Sequence, residues 1–255
     1  MLNARVLPTL VCVVLTLAPA CKRDFHEAGA TPTPSERGQG KSTAQTLPGL
    51  KHGLSQSPIN ILTKEASGET HRIALNLHHA DPDYLENKGH TIELDFPKGS
   101  TITFDGREYE LKQVHFHTPS EHQVDGVIYP LEAHVVNMIE PANEEEPPRY
   151  LVISYLFRMG DADRFISSFL DQIPSDESGR KLAPGEVYLL GGGRNPGDEH
   201  FHYRGSLTTP PYTETVEWLI VKTIQEASPE QIRRIHSLEG DNARRVQALY
   251  GRKVE

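Results

Sequence analysis

Two histidines one residue apart, His115 and His117, and a third, His134, are the side chains here best suited to chemistry. The stretch Glu108 to Lys112 leading into them reads as an extended strand, and side chains on a strand alternate between faces. Gln113, His115 and His117 therefore share one face, and Val114 and Phe116 share the other. In Leu131-Glu132-Ala133-His134-Val135-Val136 the same rule puts Glu132, His134 and Val136 together. Three imidazoles on neighbouring strands suit one metal ion whose fourth position stays open, the arrangement of catalytic rather than structural sites. An isolated His-x-His is weak evidence, because such pairs are usually surface or core histidines. Here a buried face of polar groups would be costly without partners. Gln113 and Glu132, each two residues from a histidine, are placed to accept from the second ring nitrogens.

The surrounding chain predicts a sheet to carry those faces. Thr101-Ile102-Thr103-Phe104 and Arg107 to Leu111 flank Asp105-Gly106, a two-residue hairpin signal. Tyr150 to Phe157 is a continuous apolar run that reads as a buried central strand, and Val216 to Ile224, with Trp218, reads the same way. Helices are few. Asp161 to Ile173 carries a helical stripe of Phe165, Ile166, Phe169, Leu170 and Ile173. Ser228-Pro229-Glu230-Gln231 is a capping box with proline at the first helical position, and that helix should stop at Gly240. The fold class expected is mainly β (α+β), a single sheet-dominated domain with peripheral helices.

The first twenty residues read as a signal peptide. Arg5 gives a positive start, Val6 to Leu17 is apolar but too short to span a bilayer, and Ala18-Pro19-Ala20 supplies small residues for cleavage. Leu17-Ala18-Pro19-Ala20-Cys21 resembles a bacterial lipoprotein lipobox, although the leucine stands one position too early and a proline intrudes. The resemblance implies lipidation at Cys21, and with it a periplasmic or cell-envelope location after secretion across the inner membrane. Residues 21–47, including Thr31-Pro32-Thr33-Pro34-Ser35, read as a flexible tether, and residues 48–255 as one folded domain. Of two cysteines, Cys12 lies in the leader, so the mature chain would hold no internal disulfide.

Acidic residues outnumber basic ones by 35 to 26, which argues against nucleic acid as a partner. The run Glu144-Glu145-Glu146 reads as a solvated loop.

Five motifs in order, Gln56-Ser57-Pro58-Ile59-Asn60-Ile61, Gly89-His90, Gln113 to His117, Glu132-Ala133-His134 and Gly205-Ser206-Leu207-Thr208-Thr209-Pro210-Pro211, together resemble those of the α-class carbonic anhydrases. The resemblance runs from about residue 54 to the end of the sequence and implies a large, mostly antiparallel twisted sheet with the site in a cone-shaped cleft. It also implies Zn²⁺ on His115, His117 and His134, and attack of a zinc-bound hydroxide on CO₂ to give bicarbonate. Thr208 matches the family's gatekeeping threonine and Glu121 its carboxylate partner, with Thr209 on the substrate side. Val136, Val152, Leu207 and Trp218 match the apolar CO₂ pocket, although all four would also serve as ordinary core. His90 matches the proton shuttle. His78, His79, His200 and His202 fall outside the metal motifs and read as surface or structural.

Some positions depart from the family pattern. The tryptophan- and tyrosine-containing segment usual before the Gln-Ser-Pro motif is absent. Glu93 stands where relatives carry Asn or Gln, and its charge is expected to hold the shuttle's proton longer. Tyr212 replaces a cysteine common in bacterial relatives. The partners implied are CO₂ and bicarbonate, with sulfonamides and small anions as inhibitors. A membrane is reached only through a lipid on Cys21, and the chain would be a monomer or homodimer. The alternative reading is a non-catalytic binding or adhesion module of the same fold, which typically loses a zinc histidine. An unrelated zinc hydrolase would need a His-Glu-x-x-His helix, which the sequence lacks.

Overall fold

The chain divides into Met1–Thr46 and Leu47–Glu255. The structure, a computed structural model, describes residues 53–76, 81–183 and 199–255, all in the second unit. The expected signal peptide, Cys21, the tether, His78 and His79 lie outside the described residues.

In chain order the first strands are β1 (Asn60–Ile61), β2 (Ile73–Asn76), β3 (Tyr84–Asn87), β4 (Ile92–Asp95), β5 (Thr101–Phe104) and β6 (Arg107–His117). They are followed by β7 (Gln123–Val124), β8 (Val127–Ile128), β9 (Leu131–Ile139) and β10 (Arg149–Met159). Helix α1 (Arg164–Phe169) then leads to β11 (Gly179–Leu182), β12 (His200–Gly205), β13 (Val216–Val221), β14 (Gln225–Ala227) and α2 (Pro229–Glu239). The main sheet runs β11-β3-β4-β6-β9-β10-β13-β12. Its pairs are antiparallel except where β10 meets β13 and β14 in parallel. The hairpin expected at Asp105-Gly106 joins β5 to β6.

One irregularity decides what the central strand presents. Between β6 and β9 the register shifts between Leu111 and Gln113, leaving Lys112 as an extra residue. Before the bulge, Tyr109 and Leu111 are buried in the core; after it, Val114 and Phe116 are. The phase flips once, and Gln113, His115 and His117 emerge opposite the core. At the same place β6 changes neighbour, from β5 (Arg107 to Glu110) to β4 (Gln113 to His115). The carbonyl of Lys112 accepts from Phe96 N–H at 2.9 Å, so the bulge leaves this backbone oxygen satisfied.

Both helices pack on the core face. Phe116 lies 6.1 Å from Phe165 and 5.7 Å from Phe169, ring centre to ring centre, and each buried Phe is worth about 1.5–3 kcal/mol. The α2 capping box forms as expected, with Gln231 N–H on Ser228 Oγ and Ser228 N–H on Gln231 Oε1. Gln231 also donates to Asp163 O at 2.8 Å and so ties α2 to α1. Two elements are shorter than expected. Helix α1 begins only at Arg164, because the Asp163 carboxylate caps Ile166 N–H, and after Phe169 it tightens to a 3₁₀ turn. The strand expected over 216–224 ends at Val221, and β14 resumes pairing with β10 farther along.

Candidate metal centre and its cleft

On the face away from the helices, β6 and β9 set His115 directly opposite His134 and His117 opposite Glu132. His115 Nε2 lies 3.1 Å from His117 Nε2 and 3.3 Å from His134 Nδ1. Zinc–nitrogen bonds of about 2.0–2.1 Å in a tetrahedron make each ligand–ligand edge about 3.3–3.4 Å, so the spacing fits one such ion.

The second ring nitrogens fix which atoms face inward. His115 Nδ1 meets Gln113 Oε1 at 2.7 Å, and His134 Nε2 meets Glu132 Oε1 at 2.7 Å. An acceptor at each position puts the proton there and leaves a bare lone pair on His115 Nε2 and His134 Nδ1. Two lone pairs aimed at each other across 3.3 Å call for a cation between them. Burial pushes the pKa of all three imidazoles down, that of His117 to about 4, which keeps them neutral as metal ligands must be.

Glu132 is the anchor below. Its carboxylate takes His134, His122 Nδ1 at 2.7 Å and Ser154 Oγ at 2.6 Å, plus the backbone N–H groups of Glu121 and His122 at 2.8 Å. Burial opposes its ionisation, but the neighbouring imidazoles of His122 and His134, both hydrogen-bonded to it, win and hold it well below the usual carboxylate range. His122 then continues to the Tyr203 hydroxyl at 2.7 Å.

Glu121 is buried, and Oε1 accepts Arg244 N–H at 2.9 Å. Oε2 has no hydrogen bond and lies 3.5 Å from His117 Nε2. Burial raises its pKa, while His134, the Arg244 N–H and the Thr208 hydroxyl pull the other way. Thr208 is near enough to favour the ionised form of Glu121, yet Oε2 has no donor.

Above the histidines opens a cleft of about 390 Å³ with two unlike walls. Val136, Tyr150, Val152, Leu207 and Trp218 form the apolar one, and Thr208 and Thr209 stand beside it. Lys88, His90, Thr91 and Glu93 form the polar one. All four residues expected in an apolar pocket line it, and Val152 and Trp218 are also buried among the core on that side. His90 is exposed, its Nδ1 on Lys88 O at 2.9 Å and its carbonyl held by Asn242 Nδ2 at 2.8 Å.

The expectation for Glu93 needs correction. Its carboxylate is ion-paired with Lys88, which also contacts Glu86 at 3.7 Å. Burial disfavours the Lys88 charge, but Glu93, with Glu86 and Asp95, outweighs it and raises the lysine pKa. Glu93 is therefore paired with Lys88 within a cluster that also holds Glu86 and Asp95, and is not an isolated charge beside His90. His202, read as surface or structural, is buried on a different face. At Tyr212 the Arg244 guanidinium lies over the ring at 3.9 Å.

Lys88, Thr91, Tyr150 and Asn242 were not foreseen in the cleft. Tyr150 had a signal, since it alternates in phase with Val152; Asn242 had none, because it comes from irregular chain after α2. Beneath the floor, Glu239 is a further buried carboxyl. Thr118 Oγ1 shares its proton between Gly240 O at 2.9 Å and Glu239 Oε1 at 3.1 Å, and Ile92 N–H donates to Glu239 Oε2 at 3.3 Å. Burial outweighs these donors and pushes the Glu239 pKa up to about 8.

A family profile described as eukaryotic-type carbonic anhydrase matches residues 41–255. A carbonic anhydrase of Neisseria gonorrhoeae is 39% identical over 207 residues, covering 79% of this chain and 77% of its own. The α-carbonic anhydrase of Thermovibrio ammonificans, solved with sulfanilamide, superposes with a TM-score of 0.71 at 32% identity, over 79% of this chain and 87% of its own. The Chlamydomonas reinhardtii carbonic anhydrase Cah3, solved with acetazolamide, gives 0.70 at 28% identity, over 87% and 99%. Profile, relatives and architecture agree with the motifs, and the chain belongs to the α-carbonic anhydrase family.

Proposed function

We propose that this carbonic anhydrase hydrates CO₂ reversibly to bicarbonate and a proton, using Zn²⁺ held by His115, His117 and His134. The observation that carries the reading is the pair of inward lone pairs on His115 and His134, fixed by Gln113 and Glu132. Zinc bound by three neutral imidazoles keeps its double charge, acidifies a coordinated water and so supplies a nucleophile near neutral pH.

The protein's own residues orient and clear the site. An ionised Glu121 can only accept, so a Thr208 hydroxyl donating to Glu121 Oε2 turns its lone pairs toward the cleft. That hydroxyl then accepts from, and aims, a protonated nucleophile. CO₂ has no dipole and docks on the apolar wall of Val136, Val152, Leu207 and Trp218, with Thr209 at its edge. His90, exposed on the opposite wall, carries the released proton to solvent, a task suited to an imidazole. Sulfonamides and small anions, entering the same cleft, act as inhibitors. A non-catalytic binding module is disfavoured because all three histidines, Glu121 and Thr208 are retained.

Stopped-flow CO₂ hydration, run with metal analysis on one preparation, tests this. The expected result is hydration abolished by acetazolamide and by zinc removal. Stoichiometric zinc without sulfonamide-sensitive hydration would overturn it.

The same reading places the enzyme beyond the inner membrane, in the periplasm or cell envelope, tethered by a lipid on Cys21. Mass spectrometry of the mature N-terminus checks this, and an unmodified Cys21 rejects the tether.

A further inference from the structure

A second cluster of metal-ligating side chains lies on the other face of the sheet. On β13, Trp218 faces the cleft and its neighbour Glu217 faces away. There Glu217 meets His202 of β12, with Nε2 to Oε2 at 2.7 Å. His202 Nδ1 meets Glu255 Oε2 at 3.0 Å, and His71 Nε2 meets that same oxygen at 3.2 Å. His71 Nδ1 in turn meets Asp105 Oδ2 at 2.8 Å. His71, His202 and Glu255 each offer a ligand atom, and these three atoms all lie within 4.8 Å of one another.

The wiring resembles that of the three-histidine centre. Each imidazole gives one nitrogen to its own carboxylate, Asp105 or Glu217, as His134 does to Glu132. Such a partner fixes the proton on the outer nitrogen and leaves the inner one a lone pair. Those lone pairs face an anionic oxygen at 3.0 and 3.2 Å, against 3.1 and 3.3 Å in the catalytic triad. The contacts are repulsive unless two extra protons, or one divalent cation, supply the missing charge. Burial opposes protonation of His202, while Glu217 and Glu255 favour it. Three carboxylates meet at two imidazoles, and Arg204 at 3.2 Å offsets only Glu217, so the geometry suits a double positive charge at one point. Two histidines and a carboxylate are also a recognised zinc donor set. An opening of about 390 Å³ beside the cluster gives an ion and its water a way in.

We propose that His71, His202 and Glu255 form a second divalent-cation site, suited to Zn²⁺, with Asp105 and Glu217 orienting the two histidines. The ion would join three stretches distant in sequence: the segment before β2, β12, and the residues after α2 that end at Glu255. The site stands independently of the proposed CO₂ chemistry.

The test is zinc stoichiometry on metal-stripped full chain, by titration and by atomic emission after gel filtration. Wild type should take two ions per chain, and His134→Ala one. His71→Ala should also take one while keeping CO₂ hydration, and Glu255→Gln, which preserves shape, should behave alike. The double variant His71→Ala/His134→Ala should take none. Cobalt(II) gives a second readout, since its visible bands should persist in His134→Ala and vanish on adding His71→Ala. One ion in wild type and none in His134→Ala overturns the proposal. So does a second ion that survives both His71→Ala and Glu255→Gln.

Discussion

Ser57 and Ser206 exchange hydrogen bonds: Ser57 N–H donates to Ser206 Oγ at 2.9 Å, and Ser206 N–H donates to Ser57 Oγ at 3.0 Å. The Gln-Ser-Pro segment is thereby clamped to the start of the loop that carries Leu207, Thr208 and Thr209. The clamp leaves no room at Gly205, where an added Cβ would sit 2.1 Å from Ser57 Oγ and 2.9 Å from the Tyr203 ring. Gly205→Ala should therefore destabilise the fold by about 1–3 kcal/mol, the usual cost of overpacking, and lower hydration by moving Thr208. Denaturant unfolding checks the first effect, and a wild-type midpoint would reject it.

Glu132→Gln tests the anchor beneath the metal ligands. The carboxylate accepts five hydrogen bonds, and an amide can accept only at its oxygen. The amide nitrogen must then face a donor, and His134 loses its fixed tautomer. Zinc affinity should fall about 10- to 100-fold, the usual cost of losing such a partner. Competition against a chromogenic chelator measures it; unchanged affinity would show that Glu132 only packs.

For His90 the expected signature is chemical rescue. His90→Ala should slow turnover by up to about 100-fold in weak buffer and recover partly as imidazole is added. Zinc content should not change. Wild-type turnover that ignores buffer would remove His90 from the proton path.

Glu239 predicts a slope of stability with pH. Its folded pKa of about 8 lies above the ordinary 4.5, so between these values the folded state binds the extra proton. Stability contributed by the neutral carboxyl is present at low pH and declines as pH rises toward 8, at about 1.4 kcal/mol per pH unit. Glu239→Gln is neutral throughout and keeps an acceptor for Thr118. It should match wild type near pH 5 and exceed it at pH 8, flattening the profile. Urea midpoints across that range decide, and parallel profiles would show that folding does not raise the Glu239 pKa.

The legible part of the site was the part written on strands. Alternation alone put His115, His117 and His134 on one surface with Gln113 and Glu132 beside them, because period-two geometry is local. The capping box of α2 was legible for the same reason. What the sequence concealed depends on distant chain segments meeting. Glu93 read as an uncompensated charge because its neutraliser, Lys88, becomes a neighbour only through the turn between β3 and β4. Asn242 and Arg244 reach the site from irregular chain, which has no period to read. His202 read as unremarkable because its companions, His71, Glu217 and Glu255, come from three different places.

The bulge at Lys112 gives the central strand two independent phases. Upstream, the strand pairs with β5 and sends Tyr109 and Leu111 to the core. Downstream, it pairs with β4, sends Val114 and Phe116 to that core and turns His115 and His117 to the cleft, with β9 alongside both halves. Lys112 thus works as a splice point, where two reading frames of side-chain direction are joined. An engineer could recut the hairpin before it, lengthening or exchanging it, without re-aiming His115 or His117. A one-residue change inside Gln113 to His117 has no such slack to absorb it, and would turn the ligands inward and the core outward.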